Sequence, residues 1–152
     1  MIKQYSFYNV DLLIDGLPVD GFADGNSIIS VGRNAPAHSM ITDARGNVVV
    51  NTFADLTGFV TFSLLQVSDW NSTLRDKLEQ TQGVGLSGNA TTFLPMQIML
   101  SDKMGATVVQ CVNSIILAQP NIVRGTGINT VEWTINCEKL LFDEGKVPTV
   151  GV

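Results

Sequence analysis

Residues 129–137 alternate more clearly than any other part of the chain. Val131, Trp133, Ile135 and Cys137 fall on one side, and Thr130, Glu132, Thr134 and Asn136 on the other. A period of two is the signature of a strand with one buried and one wetted face. The pattern recurs in 56–66, where Val60, Phe62 and Leu64 oppose Phe59, Thr61, Ser63 and Leu65. It recurs again in 5–15, where Tyr8, Val10, Leu12 and Ile14 oppose Asn9, Asp11 and Asp15, with Leu13 the exception. Further strands are predicted at 27–33, 48–50, 93–100 and 107–117. About seven or eight strands at hairpin-like spacing exclude repeated βαβ units. The expected fold is mainly β: an antiparallel β-sandwich or barrel with one flanking α-helix.

That helix lies in SDWNSTLRDKLEQTQG. Ser68 or Asp69 can cap its start, and Gly83 suits a left-handed end. Trp70, Leu74 and Leu78 recur every four residues, an apolar stripe narrow enough to cover a sheet but too narrow to form a core alone. Turns are marked by Gly16 and Gly21 around Leu17-Pro18-Val19-Asp20, by Asp24-Gly25-Asn26, and by a short hairpin connection at 101–105. Residues 34–47 show no clean period and read as an irregular loop whose end, Ala44-Arg45-Gly46-Asn47, looks like a hairpin tip. The stretch 138–152 also lacks pattern and is expected to dock on a neighbour or fray.

Length suits one domain, 1–152, with one core. Charged residues make up 15%, against about 25% in an ordinary soluble domain. So low a charge density points to a surface partly covered by a partner. The net charge of −5 excludes the basic footprint of a nucleic-acid binder. No run approaches the length of a membrane helix, and the N-terminal stretch, with aspartates inside it, does not read as a signal peptide. Cys111 and Cys137 fit neither a disulfide framework nor a metal motif; they read as reduced, strand-borne thiols of a protein made in a cytosol.

Each candidate for chemistry has a simpler explanation. His38 and Ser39 are neighbours on an extended chain and so point to opposite faces, and no nucleophile elbow is present. Asp20, Asp24 and Asn26 lack the alternating oxygen ligands of a calcium loop and are accounted for by turn chemistry. GVGLSG, residues 83–88, lacks the Lys-Ser/Thr ending of a phosphate loop. Asp11 and Asp15, four residues apart on a strand, share a face but stand about 13 Å apart, too far for a glycosidase pair. A metal site made of Cys111, Cys137 and His38 would need ligands scattered along the chain, and core packing explains both thiols better. Trp70 and Trp133 read as packing residues. No catalytic set, cofactor or metal site is expected. A low-charge, strand-rich domain of this kind either binds something, as a β-sandwich binding module would, or polymerises.

Two stretches carry a resemblance. YSFYNVDLLIDGLPVDGFADGNSIIS resembles the opening of the tail tube proteins of contractile-tailed bacteriophages: Ser-Phe, a strand, then a Gly-Phe-Ala-Asp-Gly turn. GFVTFSLLQVSDWNSTLRDKL resembles the strand-to-helix passage of the same family. The resemblance runs over about residues 4–140, more specific in its early part; NAPAHSMITDARGNVVV fits more loosely. It implies a structural virion protein whose six copies form a ring, with rings stacked into a hollow tube inside a contractile sheath. The implied partners are further copies of the chain, the tail sheath protein, and baseplate, tape measure and tail terminator proteins. DNA would pass through the lumen without specific binding, no membrane would be involved, and assembly would take place in the host bacterial cytoplasm. The inner tube of a tailocin or of another contractile injection or secretion system is the alternative.

On this resemblance the 34–47 segment reaches an adjacent subunit. Pro36, Met40, Ile41, Val48 and Val49 are the expected interface residues. Asp11 and Asp15 are the expected lumen-facing acids, there to keep DNA from sticking.

Overall fold

The computed structural model describes residues 4–82, 95–103 and 107–143. Its strands are β1 (Val10–Ile14), β2 (Leu17–Pro18), β3 (Ile29–Arg33), β4 (His38–Thr42), β5 (Val48–Thr52), β6 (Gly58–Leu65), β7 (Met96–Asp102), β8 (Thr107–Ile116) and β9 (Thr130–Asp143). One helix, α1, spans Trp70–Gln82 between β6 and β7. Seven strands form one antiparallel sheet in the order β2-β1-β7-β8-β9-β6-β3, and β4-β5 stand apart as a two-stranded unit. The mainly β fold with one helix is as expected. Gly83 and the GVGLSG stretch lie outside the described residues.

Alternation in β6 and β9 is realised as written. Val60, Phe62 and Leu64 are buried, as are Val131, Trp133, Ile135 and Cys137, while their neighbours are not. The two strands pair in register, Phe62 opposite Trp133 and Val60 opposite Ile135, so the apolar faces coincide. Leu12 and Ile14 of β1, Met96 and Ile98 of β7, Val109 and Cys111 of β8, and Leu74 and Leu78 of α1 complete one core.

The sheet doubles over to enclose that core, and the bend is local. Met96 pairs with Ser114 but Ile98 with Cys111, so β8 carries an extra residue relative to β7. Such a bulge bends and re-aims a strand. Asn113 sits there with φ of 53°, a left-handed conformation that a non-glycine residue tolerates only with support. The support is two side chains. Its amide oxygen accepts from Gln97 Nε2 at 2.9 Å, and its Nδ2 donates to Glu138 Oε2 at 2.7 Å. Beyond this point the buried positions of β9 change parity, from Cys137 to Leu140. The sheet thus becomes two leaves over one core, β1–β7 with one half of β8 and β9, and β3–β6 with the other half. Phe7, Phe22 and Phe62 close the seam in edge-to-face contacts, with ring centroids 5.5 and 6.4 Å apart.

Four expectations are corrected. The 34–47 segment is not irregular: His38–Thr42 is a strand paired with Val48–Thr52. The stretch from 138 is not a tail as far as Asp143, because β9 continues to that residue along β8. Phe7–Asn9 is a 3-10 turn capped by the Ser6 hydroxyl, which accepts from the Tyr8 amide, so β1 begins only at Val10. Asp15 lies beyond the end of β1, in a two-residue connection with Gly16 in which both φ angles are positive, 52° and 83°. That is the turn an Asp-Gly pair favours between antiparallel strands.

Helix α1 is seated by a polar contact that the apolar stripe does not reveal. Asn71 is buried; its side-chain oxygen accepts from Trp133 Nε1 at 2.9 Å and its Nδ2 donates to the Leu65 carbonyl at 2.8 Å. The indole of Trp70 donates to the Pro18 carbonyl at the helix start.

Candidate assembly surfaces

β4 and β5 grow from the ends of β3 and β6. At the root the Asn34 amide donates to the Thr57 carbonyl and the Phe53 amide to the Ala37 carbonyl. The root is fastened to β9 as well: Arg33 donates to the Leu140 carbonyl at 2.9 Å and lies over the Phe142 ring. At the tip, Asp43 accepts from the amides of Arg45 and Asn47 and from the Asn47 side chain, and Gly46 supplies a φ of 86°. The Asn47 side chain, then the Asn47 and Arg45 amides, hold the Asp43 carboxyl below its usual range. Asp55 is lowered likewise by Thr57, whose hydroxyl and amide both donate to it. The arm is therefore rigidly built at both ends.

Its middle is not buried by anything. Met40 pairs with Val50 and Thr42 with Val48, placing Met40, Val48 and Val50 on one face. Ile41 pairs with Val49 on the other face. Met40, Ile41 and Val49 are 69%, 67% and 64% exposed. Pro36, before β4, is exposed as well. An isolated two-stranded hairpin is marginal in water, and here both faces are apolar and both strand edges lack a partner among the described residues. Such an element is incomplete until something else covers it.

The structure thus brings the five expected interface residues to one arm. The same arm carries His38, whose Nδ1 lies 3.1 Å from Thr52 Oγ1, while Ser39 pairs with Asn51 on the opposite face. A second apolar group, Leu117, Ile122, Val123 and Ile128, is exposed between β8 and β9.

Asp11 and Asp15 do not form the shared acidic strand face expected of them. Asp15 sits in the turn; Oδ2 pairs with Lys77 of α1 at 3.0 Å and Oδ1 accepts from the Gln97 amide at 2.9 Å. Asp11 lies 3.7 Å from Lys103. The reason is the turn geometry, which carries Asp15 off the strand and towards the helix. Both carboxylates are charge-compensated.

Cys111 and Cys137 are free, buried thiols on adjacent strands, far in the chain from the arm that carries His38. No group of three metal-ligating side chains occurs among the described residues. Burial pushes both thiols up, Cys111 further because Cys137 adds to the effect. A raised folded-state value means the folded chain keeps its thiol protons while the unfolded chain loses them near pH 8.5. This contribution to stability is complete below that pH and declines as the pH rises above it. The urea midpoint should therefore fall between pH 8 and pH 10, and the Cys111→Ala, Cys137→Ala double variant should lose that fall.

No helix among the described residues is long and apolar enough to cross a membrane. Residues 2–143 match the model of a family described as Bacteriophage PhiTE tail tube protein. No curated protein matches the sequence. Among solved structures the chain is similar to one in the anti-feeding prophage tube-terminating cap, at 13% identity over 95% of each chain with a TM-score of 0.58. It is similar to a chain of the extended sheath–tube complex of the PVC extracellular contractile injection system, at 10% identity over 93% of each chain and 0.57. A chain of that system's sheath/tube terminator matches at 13% identity, with 93% of this chain and 98% of that one covered, and 0.57. At these identities the likeness concerns the fold.

Proposed function

Because the chain belongs to the Bacteriophage PhiTE tail tube protein family, a structural rather than enzymatic family of the phage tail, we propose that it acts as one tail-tube domain whose copies polymerise as stacked hexameric rings. The arm carries this reading. It presents Met40, Val48 and Val50 on one side and Ile41 and Val49 on the other, with nothing in its own chain to cover them. A neighbouring copy that receives the arm buries both faces. Because the contact joins unlike surfaces, it propagates into rings and filaments. The second exposed apolar group, at Leu117, Ile122, Val123 and Ile128, supplies a further contact between copies.

The tube encloses DNA on its way out of the particle and is itself enclosed by the tail sheath, with a tail terminator at one end and the baseplate and tape measure at the other. It is assembled in the host cytoplasm. The sheath–tube and terminator structures that share its fold support the choice of partners. They also favour a second reading, in which the same tube serves a contractile injection system. Electron micrographs of the purified chain at high concentration should show rings or tubes with a central hole. A chain that stays monomeric, even with baseplate added as a seed, defeats the proposal and favours a binding module.

A further inference from the structure

Sulfur is the most readily oxidised element in a protein chain, and this fold shelters its sulfur atoms unequally. Met96 lies in the core and is 4% exposed. Met99, on the outer face of β7, is half-buried in a groove with Leu13 and Val112. Cys111 and Cys137 are buried, and burial keeps both as thiols, not as the thiolates that react. Met40 differs from all of these. It sits at the middle of β4, opposite Val50 and on the same face as Val48, and is 69% exposed. The other apolar residues of the arm, Ile41, Val48, Val49 and Val50, are hydrocarbon alone and offer a mild oxidant nothing to attack. The arm's single sulfur atom therefore stands on a face that the tube reading buries.

We propose that Met40 is an oxidation site that controls assembly: a hydroperoxide converts its thioether to the sulfoxide in the free chain, and the sulfoxide keeps the arm from seating in a neighbouring copy. This control rests on the tube reading above. The sulfur lone pair takes one oxygen of the peroxide and the O–O bond breaks. The other oxygen leaves as water from hydrogen peroxide, or as an alcohol from an organic hydroperoxide. Sulfur gives up two electrons and the peroxide gains them. A polar S–O group then stands where an apolar chain end stood. Seating the arm would strip water from that oxygen beside Val48 and Val50, whose side chains have no hydrogen to donate. Burying a polar group without a partner is unfavourable. The fold itself is spared, because Met96 and both cysteines lie inside the core. The step can be undone. Methionine sulfoxide reductases restore the thioether, two thiols becoming a disulfide while the oxygen leaves as water. Once the arm is seated the neighbouring copy covers the sulfur, so the site is open only before assembly.

Hydrogen peroxide is the probe. The tryptic fragment 34–45 carries Met40 and no other methionine, so its gain of one oxygen reports the site directly. In the free chain this fragment should be converted before Met99, and Met96 should react only when the core opens. The converted chain should keep its circular dichroism and need a concentration about tenfold higher to form tubes. Treatment with both reductases, one for each sulfoxide epimer, should restore the native threshold. Met40→Leu, which keeps every other methionine, should assemble equally well with and without peroxide. Tubes formed first and treated afterwards should leave fragment 34–45 unmodified. A fully converted chain that assembles at the native concentration overturns the control, as does a Met40→Leu chain that peroxide disables equally. Conversion of the fragment within intact tubes would show the sulfur uncovered there and overturns it too. A native, untreated chain that forms no tubes defeats the tube reading, and the control with it; the order of oxidation in the free chain is read independently of that result.

Discussion

Excising residues 36–46 should leave a chain that is folded, by circular dichroism and cooperative unfolding, yet stays dispersed at concentrations where the intact protein is expected to form tubes. The cut removes β4 and the tip but none of the buried core, which lies wholly in the main sheet and α1. Burying one large apolar side chain is worth about 1.5–3 kcal/mol, and five such residues on the arm await cover. Finer substitutions test the two faces separately. Ile41→Asp places a carboxylate on the face shared with Val49, and Met40→Asp on the face shared with Val50. Each loses a burial and adds a desolvation cost, so each should raise the concentration needed for assembly by about tenfold or more, at 1.4 kcal/mol per factor of ten. If only one of the two has an effect, one face of the arm remains in water. A deletion variant that still grows full-length tubes would show that the arm does not reach a neighbour.

Stability should fail most sharply at Trp133. Its ring is fully buried between the leaves and its Nε1 is held by Asn71, which also satisfies the Leu65 carbonyl. Trp133→Ala removes about 3–5 kcal/mol, a large part of the roughly 5–15 kcal/mol by which a domain is stable. Asn71→Ala keeps the packing but strands the buried Trp133 indole N–H, at about 1–3 kcal/mol for the unsatisfied group; the Leu65 carbonyl keeps the Ser68 amide as a donor. Trp133→Phe in the Asn71→Ala background should cost less than the sum of the two single changes, because the lost indole N–H no longer needs a partner. Urea unfolding of the four proteins measures this. Strict additivity would mean that the hydrogen bond joining helix to sheet contributes nothing of its own.

The parts of the molecule legible from sequence are those with one wet and one dry face. β6 and β9 up to Cys137 could be read residue by residue, and the helix stripe and its Ser68 start could be read as well. Of the arm, 48–50 reads as a strand and 44–47 as a hairpin tip, but β4 and its pairing with β5 do not, for a physical reason. Periodicity reports a contrast between faces, and β4 and β5 have none, since Met40 and Ile41, then Val48, Val49 and Val50, are exposed on both. The end of β9 was hidden by the change of parity between Cys137 and Leu140, which breaks the alternation while the strand itself continues. That change belongs with Asn113, whose left-handed backbone depends on Gln97 and Glu138, distant in sequence and adjacent only in the sheet. Asn71 carries no signal in the sequence, because a lone asparagine on a helix resembles any solvated residue until the indole opposite is known.

The attachment of the arm has a mechanical consequence. Its two legs enter the body along β3 and β6, and Arg33 ties their junction to the far end of β9, the longest strand. β9 is bonded lengthwise to β6 on one side and to β8 on the other. A pull on the arm from a neighbouring copy would therefore act lengthwise on these strands, so their cross-strand bonds would share the load as a shear and not open one after another like a zipper. Joints loaded in that direction would let an assembly of such copies bear axial force without the arm peeling from its root.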